Sequence, residues 1–217
     1  MMMKRPLSDA DNEALDRRSV TSLVIVMAVI IFAFVLVDTT VHRALSPEEP
    51  EFWIESAAVC GLKVTDSEFS ATWNMTLLAK NPNKKLAINF DKVQVAVYYG
   101  SKEDFFHRDH DQYAIAKTQL SPFFLFTGNQ TGLNFKLGVV GASFLDSTAK
   151  EIYQGKAVRG SVKFGVMLGV DYRYRTKVLD MGSTNIIQLY CDQLEFLFSP
   201  NTNDTGILTH QLRCDMY

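Results

Sequence analysis

Cysteine, proline and an excess of either charge are all scarce in this sequence. Three cysteines in 217 residues are too few for a disulfide scaffold, and their spacing is not that of a zinc site. Six prolines and twelve glycines exclude collagen-like and low-complexity chains. The 22 basic and 24 acidic side chains leave a net charge of -2, so there is no electrostatic footprint for nucleic acid and no acidic tail. Catalytic signatures are missing too: no G-x-S-x-G, no phosphate-cradling G-x-x-x-x-G-K and no C-x-x-C. His107-Arg108-Asp109 shares letters with a kinase catalytic loop, but no glycine-rich loop, strand lysine or DFG accompanies it. His107 and His110 with Asp109 and Asp111 form the one metal-like cluster, which reads as an exposed loop because nothing nearby completes a ligand set. The expectation is therefore a protein without enzymatic activity, metal or cofactor.

What is present begins with one long apolar run. From Val20 to Val37 the chain carries 18 residues without a charge. As a helix this run reaches ~27 Å, enough to cross a hydrocarbon core of ~30 Å with slight thinning. A buried core helix would show a polar stripe, and none exists here. A cleaved signal peptide would need a shorter core and a small-x-small site, for which Val35 to Thr39 is a poor match. Lys4, Arg5, Arg17 and Arg18 precede the run and only Arg43 closely follows it, so Arg17 and Arg18 set a cytoplasmic N-terminus. The expected division is a cytoplasmic tail (1–19), a span (20–37), an extended external stalk (38–51), a folded domain (52–198) and a flexible C-terminal tail (199–217).

The external part reads as strands. Trp73, Met75 and Leu77 alternate with Thr72, Asn74 and Thr76, and Val93, Val95, Val97 and Tyr99 alternate with Gln94, Ala96 and Tyr98. Further apolar runs follow at Leu133–Val139, Val162–Leu168 and Tyr172–Val178, with a last one from Ile186 to Phe198. Seven or eight strands are expected, separated by turns at Asn81-Pro82-Asn83, Gly100, Gly128 and Gly182. Ser143 to Gln154 breaks the pattern with helical spacing, a Ser143/Asp146 capping box and Gly155 as its stop. The expected fold class is all-β: an antiparallel β-sandwich with one short helix, preceded by a single transmembrane helix.

Several short stretches resemble a plant family. Phe52-Trp53-Ile54-Glu55-Ser56-Ala57 leads the first strand; Asn81-Pro82-Asn83-Lys84-Lys85-Leu86 is followed by Val97-Tyr98-Tyr99-Gly100; Pro122-Phe123, Gly128-Asn129-Gln130-Thr131 and Gly160-Ser161-Val162-Lys163-Phe164 come later. Together they are similar to the late embryogenesis abundant group 2 superfamily, in its membrane-anchored branch named for harpin-induced and non-race-specific disease resistance proteins. The resemblance covers roughly residues 15 to 200, and the His107–Asp111 stretch departs from it. It implies a fibronectin-type-III-like sandwich at the plasma membrane with a role in defence or stress, and no catalytic residues. Read without any family, Asn81 bonds local backbone, Pro82 presets a turn and Asn83 tolerates a left-handed conformation.

Candidate sites follow from the external location. Asn74, Asn129 and Asn203 each satisfy the N-glycosylation rule. Cys60 ends the first strand and Cys191 lies in the last, so a Cys60–Cys191 bridge is the candidate disulfide, with unpaired buried thiols as the alternative and Cys214 as an exposed thiol. Arg173, Arg175 and Lys177 share one strand face, either as a solvated edge or as an anionic patch binder. Phe105, Phe106, Phe123, Phe124, Leu125 and Phe126 either pack in the core or mark a contact at one end of the sandwich. The expected function is a non-catalytic, single-pass display of the sandwich to other proteins or wall polymer, alone or as an oligomer. The alternative is a module holding a lipid or other apolar ligand between its sheets.

Overall fold

The computed structural model describes residues 9–44, 46–65, 68–100, 114–142, 146–176, 183–199 and 205–216. The chain divides into two compact units, Met1–Ser46 and Pro47–Tyr217. The first is one helix, α1 (Asp9–Ala44), of 36 residues. Its Val20–Val37 segment has a mean hydropathy of 3.1 and none of it is buried, so by length and composition it can cross a membrane. The helix is longer than the apolar run. It includes residues 9–19 of the expected tail and residues 38–44 of the expected extended stalk. Once the apolar turns are formed, each further residue adds a hydrogen bond at little entropic cost. The stop comes before Pro47, whose ring disfavours helical geometry at Ser46.

The second unit is antiparallel throughout, with ten strands among the described residues: β1 (Glu51–Val64), β2 (Phe69–Lys80), β3 (Ala87–Tyr98), β4 (Ala114–Leu120), β5 (Phe123–Leu125), β6 (Gln130–Ala142), β7 (Ser161–Arg175), β8 (Asn185–Phe198), β9 (Gly206–Leu208) and β10 (Leu212–Met216). A helix α2 (Asp146–Gln154) joins β6 to β7. Hydrogen bonding runs in the order β4-β3-β7-β8-β10-β1-β2-β6, with β5 on β3, and β9 between β1 and β8. The sheet folds back on itself into two layers. Phe52 of β1 meets Phe90 of β3 edge-on at 5.8 Å, and Trp73 of β2 meets Phe164 of β7 at 5.3 Å. The expected two-layer packing is therefore present, but the layers are halves of one sheet, joined through β9 and β10.

That join corrects the sequence reading of the C-terminus. Within the expected loose tail, Gly206–Leu208 and Leu212–Met216 are strands: β10 pairs with β1 (Phe52 opposite Cys214) and with β8 (Asp215 opposite Tyr190). The missed signal is the period of two in Leu212, Cys214 and Met216, hidden among polar neighbours. Tyr172 to Arg175 likewise belongs to no separate strand, since β7 runs unbroken from Ser161 to Arg175; Lys177 and Val178 lie outside the described residues.

The alternation places the core as expected. Trp73, Met75 and Leu77 are buried while Asn74 is exposed. The Trp73 indole N–H is buried and has no hydrogen-bond partner among the described residues. Alternation fails at the end of β3, where Ala96 and Tyr98 are buried although they face away from the layer interface. The cause is a satellite cluster in which Tyr98 packs with Tyr190 and Met167 over Gly165. A Cβ at Gly165 would overlap the Tyr98 ring, so only glycine fits there. Burial, reinforced by the Asp192 carboxylate, pushes the Tyr98 phenol well above its ordinary range. Gly155 does not stop α2. The chain continues in a π-helical turn to Arg159 and ends at Gly160, whose φ of 67° is left-handed.

Candidate functional site

Strand direction sorts the candidate residues to two ends of the β domain. β1 leaves Glu51 close to Pro47 and finishes at Val64, so the turns at 81–86 and 121–129 share the Pro47 end. The α2 segment and residues 62–65 lie at the opposite, distal end.

The Pro47 end is organised by two buried asparagines. Asn81 is fully buried and Asn83 nearly so. The Asn81 amide donates to the Leu86 carbonyl at 2.8 Å and the Phe126 carbonyl at 3.1 Å, and its own oxygen accepts the Asn83 backbone N–H at 3.0 Å. Asn83 grips the incoming chain: its amide donates to the Glu48 carbonyl at 2.6 Å and its oxygen accepts the Glu48 N–H at 2.7 Å. Tyr174 adds a third bond to Glu48, its hydroxyl donating to the carbonyl at 3.1 Å. Among described non-glycine residues only Gln193 has positive φ, so Asn83 is not left-handed and acts through its side chain. Such a network has every arm satisfied, which is what a buried polar group needs.

At the distal end lies an open groove of about 890 Å³, lined by Leu62, Lys63, Tyr153, Val158, Arg159 and Phe198 among others. Lys156 braces its floor, with Nζ donating to the Leu62 carbonyl at 2.9 Å and sitting 5.4 Å above the Phe198 ring. Val158 is 81% exposed and Tyr153 59%. Beside them Lys63 and Arg159 are exposed cations, so the groove combines apolar surface with positive charge. A second, shallower trough of about 720 Å³ runs over the outer face of β1, β2 and β6. Its floor is a hydroxyl ladder, Ser56 to Thr76 at 3.0 Å and Thr76 to Asn134 at 2.8 Å.

The predicted site residues fare unevenly. Asn74 stands exposed in that trough, and Asn129 is exposed in the turn after β5. Asn203 lies outside the described residues, as do Lys177 and His107 to Asp111. The disulfide is different from the one expected. Cys191 pairs with Cys214, their Cα atoms 4.2 Å apart, and Cys60 is the free thiol. Cys214 is buried rather than exposed, because β10 slots between β1 and β8 and carries it beside Cys191. Cys60 faces outward near Asn74 and Thr205. Arg173 and Arg175 do share a face, but the Arg173 guanidinium is held by Asp91 through bonds of 2.7 and 2.9 Å. That bond holds the Asp91 carboxyl below its ordinary value, against some opposing desolvation. Arg173 is thus paired, while Lys63 and Arg159 are exposed at the distal groove. Arg17 and Arg18 lie within α1.

A stretch of 71 residues, 31% of this chain, is 35% identical to NDR1/HIN1-like protein 26 of Arabidopsis thaliana. Over that stretch the chain is similar to an NDR1/HIN1-like protein. The matched stretch spans 33% of that NDR1/HIN1-like relative's length. No family model matches the chain. Among solved structures, the solution structure of a protein described as late embryogenesis abundant (LEA) shares 16% identity, covering 92% of this chain and 97% of its own, with a TM-score of 0.31. A crystal structure of a protein from Archaeoglobus fulgidus also shares 16% identity, covering 67% and 98%, with a TM-score of 0.29. The architecture given above rests on the strand pairing itself.

Proposed function

We propose that this NDR1/HIN1-like relative is a non-catalytic, single-pass plasma-membrane protein of plant defence or stress responses. Its helix holds the N-terminus in the cytoplasm and displays the β domain outside. The observation that carries this reading is the apolar Val20–Val37 segment, none of it buried, preceding a mostly antiparallel β unit. The kinship to an NDR1/HIN1-like protein supports the plant defence or stress setting. On this reading the distal groove meets the partner, a protein or an acidic wall polymer, through Tyr153 and Val158 for apolar contact and Lys63 and Arg159 for charge. The alternative, an apolar ligand between the layers, is disfavoured by what fills that space: Phe52, Trp73, Phe90, Phe164 and Phe196 pack there with no more than 1% exposure.

Protease treatment of sealed microsomes carrying the full chain tests the display. The β domain should survive until detergent is added, and glycosidase should reduce its mass. Digestion of the domain in intact vesicles would end the reading.

A further inference from the structure

At the Pro47 end two phenylalanines face solvent side by side. Phe124 is 38% exposed and Phe126 65%, and their rings meet edge-on with centroids 4.9 Å apart. Their neighbours in β5 explain why they are outside: Phe123 stacks on Phe90 at 4.4 Å and Leu125 is buried, so alternation forces 124 and 126 to the other face. The pair is rigidly mounted. The Phe126 carbonyl accepts from the buried Asn81 amide at 3.1 Å and from the Asn129 N–H at 3.2 Å. An ordered, exposed aromatic pair has little entropy left to lose when something covers it.

The same network limits where this pair can be. Asn83, bonded to Asn81, fixes Glu48, and Glu48 is only eleven residues beyond Val37. Seven of those residues are helical and the rest at most extended, so Glu48 reaches no further than about 25 Å from the end of the apolar run. A surface held so close to a bilayer meets it at high effective concentration, and weak insertion suffices. The chemistry fits a headgroup layer: the aromatic pair stands on the same end as exposed Lys84 and Lys85, whose charge is offset by exposed Glu48 and Glu49.

We propose that Phe124 and Phe126 dock the β domain onto the surface of the bilayer that holds α1, which leaves the distal groove facing away from the membrane. This rests on the membrane-anchor reading above. The docking is driven by the rings, so a zwitterionic surface is enough and anionic lipid adds little. It also sets a condition on the nearby sequon: a glycan on Asn129, three residues from Phe126, would stand between the pair and the lipid, so Asn129 stays unmodified.

The test uses the full chain, made without glycosylation and reconstituted into phosphatidylcholine vesicles with and without a brominated acyl chain. Phe126→Trp reports on the docking end and Val140→Trp, at a site 91% exposed near the distal end of β6, serves as the remote control. After subtraction of the wild-type signal from Trp53 and Trp73, the emission added by Phe126→Trp should be blue-shifted and quenched by brominated lipid, and the emission added by Val140→Trp should not be. Adding Phe124→Ser to Phe126→Trp should cut the quenching about twofold or more. Three outcomes overturn the docking: neither probe quenched, the remote probe quenched instead, or a blue shift that grows with protein density but ignores bromine, which marks contact with a second copy. A chain that fails to float with the vesicles removes the anchor reading itself, and the docking with it.

Discussion

Asn81 shows how one side chain does the work of several. Buried at the base of the β domain, it joins the 81–86 turn, the segment after β5 and Asn83 through bonds of 2.8 to 3.1 Å. Asn81→Ala strips partners from buried carbonyls that water cannot easily reach, so the loss should exceed that of a typical hydrogen bond. About 2 to 3 kcal/mol is expected, read as a lowered denaturation midpoint in detergent. Asn83→Ala should cost less overall but should free the Glu48 amide to exchange hydrogen, because the Asn83 side chain makes two of its three bonds to Glu48 and one to Asn81. Asp91 makes a contrasting case, since its pair with Arg173 is about one-third exposed on both sides. Its carboxyl titrates below the ordinary 3.8 in the folded chain, so the pair stabilises above that value and the benefit fades as pH falls through the lowered one. Solvent screening keeps the effect small. Asp91→Asn should lower stability by a few tenths to about 1 kcal/mol at pH 7 and match the wild type at a pH low enough to protonate the Asp91 carboxyl. An equal deficit at both pH values would show that the asparagine disrupts packing rather than charge.

Strands with strong apolar alternation were legible; elements defined by their partners were not. β2 announces itself in Trp73, Met75 and Leu77 because one face is buried and the other wet. β10 does not, because Leu212, Cys214 and Met216 are flanked by Arg213 and Asp215, and its place depends on the gap between β1 and β8. The disulfide was unreadable for the same reason, as its geometry depends on that gap. The Asn-Pro-Asn turn was visible as a turn, but its grip on Glu48, 35 residues back, was not. The distal groove was hidden because it is built from three separated segments, one of them a π-helical turn whose sequence carries no period. The Cys191–Cys214 bond therefore has a role beyond closing a loop of 23 residues: it pins the strand that joins the two layers. Replacing both cysteines with serine should cost about 3 kcal/mol by loop entropy. Hydrogen exchange should then rise first in β10 and in the β8 and β1 amides that face it, with β2 and β3 still protected. Uniform deprotection of all strands would mean that the seam opens only with the whole domain.

For the whole molecule, the decisive quantity is the imbalance of basic residues across one apolar helix. Lys4, Arg5, Arg17 and Arg18 lie on one side of Val20–Val37, against Arg43 on the other. If basic residues are retained in the cytoplasm, this imbalance alone sends the large β domain outward, whatever the domain's own charge. The domain itself gives no competing instruction, because long segments translocate largely regardless of their charge. Orientation should thus respond to a few substitutions that leave the folded unit untouched. Asn74 is a suitable reporter: it is exposed on β2, far from the helix in sequence, and modifiable only on the lumenal side of a secretory membrane. With Asn129 and Asn203 changed to glutamine, the wild-type flanks should yield a chain whose mass falls on glycosidase treatment. Arg17→Ser and Arg18→Ser combined with Thr39→Arg and Thr40→Arg should move a large fraction of molecules to the unglycosylated, protease-accessible form. If that fraction does not change, the flanking charges do not set the direction, and a segment inserted and then cleaved like a signal sequence becomes the better account. An N-terminal epitope tag separates the two, since it stays attached to the β domain only when Val20–Val37 remains as an anchor.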